Sequence, residues 1–324
     1  KLQDKGGWDN RDTAKYFDEY AQIMFKELGD MVPRWITHNE PLVVSMLGHL
    51  TGDHAPGFKD QNKALQVAHN LLLSHGMAVK SFRESGIEGE VGITLNLNHV
   101  YPNNDSREDK IAKDYCDAFN NRWFLDPVFK GEYPEKLMTL YQSEFDGFEV
   151  KTGDLEIISR DIDFLGINYY SRAVVEYDQD ELLNFKTVKP EEADYTEMNW
   201  EVYPQGLTDL LLRLDKEYTK GKPIFITENG AAYDDQIADD GSVHDKKRVD
   251  YLEKHFKAAH RAIEEGVNLA GYYVWSLMDN FEWAYGYSKR FGITYIDYDN
   301  DQKRILKDSA KRYKEIIENN GLKK

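Results

Sequence analysis

The chain has 324 residues, 41% of them hydrophobic, with 58 acidic against 41 basic residues and a formal net charge of -17. That size and apolar content supply a real hydrophobic core, and the acidic balance excludes recognition of nucleic acid or of an anionic membrane through a broad basic face. No apolar run approaches the roughly 20 residues that cross a bilayer, residues 1–10 carry no apolar leader, and the single Cys116 admits no internal disulfide, so a soluble, cytoplasmic protein is expected.

Taken in chain order, residues 12–29 predict an amphipathic helix, with Phe17, Tyr20, Ile23, Met24 and Leu28 on one stripe between an Asp cap and a Gly stop. WITHNEP at 35–41 begins as a strand in Trp35, Ile36 and Thr37 and ends in Asn39, Glu40 and Pro41, residue types that strands disfavour. A long helix is predicted over 62–85, a strand over 90–102, an irregular stretch after it, and a strand over 162–170. The acidic segment 177–197 reads as a surface loop. Then follow a helix at 204–221, a strand at 222–230 (KPIFITENG), a helix at 245–266, a strand at 269–283 running into a loop, and a helix at 308–321 with Asp308 as its cap. Strand and helix alternate, which implies parallel strands covered by helices. No linker-like segment divides the chain, so one domain over residues 1–324 is expected. Of the βα architectures, an α/β TIM barrel suits strands whose far ends are polar, because active sites lie at the C-terminal ends of barrel strands.

Two strands end alike. WITHNEP delivers Asn39 and Glu40, and KPIFITENG delivers Glu228 and Asn229, each after an apolar run and before a breaker. One such Glu alone could cap a helix or form a surface ion pair; two at matching strand ends would face one barrel mouth. A carboxyl pair across a cleft is what glycoside hydrolysis needs, one group to protonate the departing oxygen and the other to attack the anomeric carbon or activate water. In GINYY, Asn168 and Tyr170 lie two apart and so share a strand face, where the Tyr hydroxyl could donate to a carboxylate. The segment 274–291 joins Trp275, Glu282, Trp283 and Phe291, flat apolar faces beside a carboxylate and indole donors, as pyranose recognition requires. There is no HExxH, CxxC, G-x-S-x-G, P-loop or G-x-G-x-x-G, so neither a metal nor an organic cofactor is expected.

With these residues in place the chain resembles glycoside hydrolase family 1, the β-glucosidase family. Thr37-His38-Asn39-Glu40-Pro41 resembles its T-x-N-E-P acid/base motif, and Ile226-Thr227-Glu228-Asn229-Gly230 its I/V-T-E-N-G nucleophile motif. GGWDN, GDHAPG, LGINYY, WEVYPQGL, WSLMDNFEW and KRFG extend the likeness over essentially the whole chain. The resemblance implies a retaining mechanism in which Glu228 attacks and Glu40 serves as acid and then base. It also implies that Asn39 holds the sugar 2-hydroxyl, Tyr170 orients Glu228, and Asn168 supports the site. Trp275 would form the sugar platform, and Glu282 and Trp283 would bind the outer hydroxyls. Family members acting on 6-phospho sugars typically have Ser where this chain has Glu282 and Tyr where it has Phe291, so plain β-glucosides or β-galactosides are expected. Thioglucosidases of the family place Gln where Glu40 stands, which points here to O-glycosides. The family's R-F-S-I-x-W and H-W-D-L-P segments do not occur in the chain. The resemblance therefore implies that the strands present are the fourth to eighth of the barrel, and that activity calls for a complementary N-terminal fragment. The rival reading is an inactive barrel fragment that at most binds sugar or another chain.

Overall fold

In the computed structural model, residues 1–144 and 148–322 are described. Their elements, in chain order, are α1 (Asp12–Leu28), β1 (Arg34–Asn39), α2 (Gln61–Ser85), β2 (Glu90–Asn96), β3 (Val100–Pro102), α3 (Arg107–Asp117), α4 (Trp123–Lys130), α5 (Glu135–Glu144), α6 (Asp154–Ile158), β4 (Phe164–Asn168), β5 (Ala173–Tyr177), β6 (Phe185–Thr187), α7 (Pro204–Leu214), β7 (Ile224–Asn229), α8 (Lys246–Glu264), β8 (Leu269–Val274), β9 (Thr294–Asp297), β10 (Lys303–Leu306) and α9 (Asp308–Asn319).

The main sheet has five strands in the order β1-β2-β4-β7-β8, all pairs parallel. β2 and β4 are buried along nearly their whole length, which explains their continuous apolar sequence: a parallel strand covered on both faces has no polar side to show. The core between this sheet and its helices is built around α2, where Ala64, Leu65, Ala68, Leu72 and Val79 are all buried. Pairing brings the strand ends level. Asn39 stands opposite Thr94, Asn96 opposite Asn168, Asn168 opposite Glu228, and Asn229 opposite Val274. The register shifts within β1 between Ile36 and Asn39 and along β7 between Ile226 and Asn229, so the two carboxylate-bearing ends are re-aimed where the ladder breaks. Among the described residues, β1 and β8 each have one neighbour. Ile36 on β1 is 44% exposed and Tyr273 on β8 is 53% exposed.

Several expectations are corrected in detail. The strand expected over 90–102 is two strands in different sheets: β2 ends at Asn96, and β3 joins β5 and β6. Between them Asn98 is tied to Asn121, whose amide accepts from the Asn98 N–H at 3.2 Å and donates to its carbonyl at 2.8 Å. The stretch after residue 102, expected to be irregular, is largely helical in α3 to α6, with residues 145–147 outside the described ones. A wider helical turn at Ala118–Arg122 joins α3 to α4, Pro127 lies within α4 and Gly131 caps it, and these residues hide the helical period in the sequence. The acidic segment 177–197 holds one short strand, β6, paired antiparallel with β5. Asp12 and Asp308 are first helical residues and do not occupy the cap positions, which fall on Arg11 and Lys307. The caps' hydrogen bonds come from elsewhere: Asn10 accepts from the Asp12 N–H and Asp245 from the Ser309 N–H. The segment 269–283, expected as a strand running into a loop, is strand to Val274 and loop after it.

Candidate active site

Glu40 follows β1 directly, with its N–H donating to the Thr94 carbonyl at 3.0 Å. Its φ is 50°, left-handed backbone that a non-glycine residue adopts at a cost on the order of 1 kcal/mol. Pro41, free of an N–H to satisfy, then opens a helical turn. The unfavourable ending of WITHNEP therefore makes a sharp corner, and Glu40 stands on it.

On β7 alternation separates two neighbours. Glu228 faces the strand ends' common mouth, while buried Asn229 points the other way, donating to the Tyr169 carbonyl at 2.7 Å and to the Tyr251 hydroxyl at 3.0 Å. Gly230 is required next, because a Cβ there would fall 1.7 Å from the Trp275 carbonyl oxygen. After β4 the same alternation buries Tyr169 and turns Tyr170 into the mouth, where its hydroxyl donates to Glu228 Oε2 at 2.6 Å.

The carboxylates are joined by carboxamides. Asn168 Nδ2 donates to Glu40 Oε1 at 2.7 Å and to Asn39 Oδ1 at 2.9 Å, and Asn39 Nδ2 donates to Glu228 Oε1 at 3.3 Å. Asn96 Nδ2 adds a second donor to Glu40 Oε1 at 3.1 Å. A cavity of about 640 Å³ opens over this chain of bonds, lined among others by Asn39, Glu40, Tyr170, Glu228, Trp275, Glu282, Trp283 and Phe291. Apart from Asn229, the residues singled out from the sequence are thus in one place, with Asn168 directly behind the wall and fully buried. Phe291 packs edge-on to Tyr170, with ring centroids 6.1 Å apart. Trp283, 63% exposed, stacks on His54 at 5.3 Å.

Among the described residues no Lys or Arg lines the cavity, and the electrostatics follow. Burial raises the Glu40 carboxyl above its ordinary value against the opposing pull of the Asn168 and Asn96 amides. Burial and then the Glu40 charge push Glu228 up to about 7, against the donors Tyr170 and Asn39. Glu282 is raised by burial and by Glu40. Glu40 and Glu228 therefore titrate as a coupled pair that tends to hold one proton near neutrality, the state in which one can act as an acid and the other as a nucleophile or base. Among the described residues no group of three or more His, Cys, Asp or Glu side chains is placed to hold a metal ion.

The family model for glycosyl hydrolase family 1 matches residues 1–322. The chain belongs to glycosyl hydrolase family 1. It is 52% identical over 324 residues to "Beta-glucosidase A" of Acetivibrio thermocellus, a match covering 99% of this chain and 72% of that protein. It is 46% identical over 322 residues to "Beta-glucosidase A" of Thermotoga maritima, covering 99% and 71% respectively. A solved family 1 β-glucosidase from Exiguobacterium antarcticum B7 superposes with a TM-score of 0.95 at 46% identity, over 98% of this chain and 71% of that one. This family 1 chain is an O-glycosyl hydrolase of the β-glucosidase type, with the α/β TIM-barrel fold of its relatives.

Other residues line the family 1 site beyond those expected from the sequence, among them Asn96, His54 and Trp200. Asn96 ends an apolar strand as Asn39 does, a signal that shows only once β2 is seen to stop there and not at residue 102. His54 and Trp200 fall within GDHAPG and WEVYPQGL, segments that carry the family likeness, but their residue types in a loop give neither one a role. The loops after β7 and β8 are also fastened together by a buried charge network. Lys307 donates to Asp235 at 2.6 Å and to Asp279 at 2.9 Å, while Arg290 donates to Asp279 at 2.6 Å. Arg248 bonds Asp235, Asp245 and the Ala231 carbonyl. Lys307 and Arg248 are fully buried, so removing either would strand buried carboxylates, and the segment carrying Trp275, Glu282 and Phe291 is held accordingly.

Proposed function

We propose that this family 1 chain hydrolyses terminal non-reducing β-D-glucosyl residues, with β-D-galactosyl residues as a second substrate, by a retaining double displacement. Glu228 attacks the anomeric carbon and forms a glycosyl-enzyme while Glu40 protonates the departing oxygen. Glu40 then takes a proton from water, which releases the sugar with its configuration kept. Tyr170 orients Glu228 and favours its ionised form, Asn39 meets the sugar 2-hydroxyl, and Asn168 supports both Asn39 and Glu40. Trp275 lies under the sugar ring, Glu282 and Trp283 take its outer hydroxyls, and Phe291 closes the wall. A carboxylate at Glu282 would repel a phosphorylated sugar, which favours the plain glycoside.

The observation that carries this reading is the pair Glu40 and Glu228 at the ends of two parallel strands, joined through Asn168 and Asn39 in a single cavity. A mechanism-based 2-deoxy-2-fluoro-β-glucoside with a good leaving group is expected to add one fluoro-sugar mass, and peptide mapping to find it on Glu228. A folded sample left unlabelled would favour the rival non-catalytic, sugar-binding reading.

We further propose that the five strands occupy the fourth to eighth positions of an eight-stranded catalytic domain, completed by polypeptide either continuous with these residues or bound to them. Two features support this: β1 and β8 each have one neighbour among the described residues, and Ile36 and Tyr273 are exposed beside them. Adding a polypeptide with the first three strands should give a one-to-one complex in sedimentation and raise turnover; no association would end the idea of a bound complement. A cytoplasmic setting is proposed on the single, fully buried and free Cys116. Among the described residues no helix is long and apolar enough to cross a membrane.

A further inference from the structure

We infer that Asn96 is a positioning residue which, together with Asn168, decides which oxygen of Glu40 carries the acid proton. The inference rests on the acid/base reading of Glu40 given above. Both amides donate to the same atom, Oε1, at 3.1 Å from Asn96 and 2.7 Å from Asn168. A carboxyl oxygen that accepts two N–H bonds has both lone pairs engaged, and protonating it would cost one of them. Among the described residues no hydrogen bond reaches Oε2. The proton therefore resides on Oε2, the oxygen left free for the leaving group, with no protein acceptor competing for it.

The arrangement follows from the sheet. Asn96 and Asn168 are register partners on β2 and β4, so their side chains stand next to each other, and the Glu40 N–H is anchored to Thr94 on β2. The Asn168 amide is committed on several sides, to Glu40, to Asn39 and to the Thr227 hydroxyl at 2.7 Å. The bond to Glu40 is the one side-chain hydrogen bond of Asn96 among the described residues, so a change at Asn96 acts on Glu40 and leaves the Asn168 relay in place.

The ionisable groups facing Glu40 are Glu228 from β7, Tyr170 from the end of β4 and Glu282 from the loop after β8. His54, held toward its neutral form by burial, lines the same cavity. All of these are neutral or negative, which leaves the two amides as the groups that favour the Glu40 carboxylate. Removing the Asn96 donor should therefore let Glu40 keep its proton to higher pH.

The test is the pH dependence of kcat/KM on an alkyl β-glucoside, for which leaving-group protonation matters, in the full protein and its Asn96→Ala and Asn96→Asp variants. The alkaline limb should rise by about half to one pH unit in Asn96→Ala, and further in Asn96→Asp, where a like charge joins Glu40. Loss of activity at every pH with an unmoved alkaline limb would mean that Asn96 only supports the fold, and would overturn the inference. A second measurement is independent of turnover. In a Glu228→Gln background, which removes the coupled proton, the Glu40 carboxyl carbon is titrated by NMR with and without Asn96→Ala. The midpoint should rise; an unchanged midpoint also overturns the inference. Because this titration reads Glu40 whether or not the fluoro-sugar labels Glu228, failure of the functional reading and failure of the Asn96 inference are told apart.

Discussion

Glu228→Ala is expected to lower kcat on nitrophenyl β-glucosides by on the order of 10⁴-fold or more, since the proposed mechanism gives the covalent intermediate to Glu228. Labelling by the fluoro-sugar should vanish in the same variant. The cavity left by the carboxylate lies on the face opposite the leaving group, so added azide or formate should restore part of the turnover. The azide product should be the α-glycosyl azide, seen by NMR, because a single displacement inverts the anomeric centre. Restored turnover with a β product would assign the nucleophile elsewhere. The wild-type profile carries a related signature. Glu228 must be ionised to attack, and burial together with the Glu40 charge holds its carboxyl up to about 7. Turnover should consequently fall on the acid side, where Glu228 takes up a proton beside a neutral Glu40, and fall again on the alkaline side, where the pair gives up the last proton that the acid step needs and the two charges meet. The two midpoints belong to the pair and not to either residue alone.

Glu40→Ala is expected to divide substrates by leaving group. Alkyl β-glucosides, which depart only with a proton, should lose roughly 10²- to 10⁴-fold in kcat/KM, the usual worth of general acid catalysis. Dinitrophenyl β-glucoside leaves unaided and should keep most of its kcat/KM. Its kcat should still fall, because water attacking the glycosyl-enzyme has lost its base, and the intermediate should accumulate in the mass spectrum. Equal losses on all leaving groups would remove Glu40 from the acid role. The alkaline limb should also disappear from the dinitrophenyl profile, since its titrating group is gone.

The residues with the largest predicted effects were legible because a strand punishes them. Asn39, Glu40 and Glu228 stand where apolar, strand-forming runs stop for no reason of strand stability, and a polar group there is visible against its background. Asn96 obeyed the same rule, yet lay inside the run 90–102 that read as one continuous strand. The sheet divides that run, and with the division Asn96 becomes a strand end. Trp200 and His54 carried no such contrast, for an aromatic or a histidine in a loop looks the same whether it lines a cavity or covers a core. The helices at 107–158 were hidden for a different reason. A wide turn, Pro127 and Gly131 break their period, and packing against the core holds together what local pattern does not.

The one-dimensional chain thus determined the alternation of strand and helix, the two motifs with their carboxylates, and the acidic balance, because periodicity and residue preference are properties of neighbours in sequence. Tertiary structure alone decided which strands pair and in what register. That register sets Asn96 beside Asn168 and Asn168 beside Glu228. It also aims two amides at a single oxygen of Glu40 and places the two carboxyls close enough to perturb each other's protons. Interaction energies at such sites depend on distance and burial, and neither exists until the strands are laid side by side.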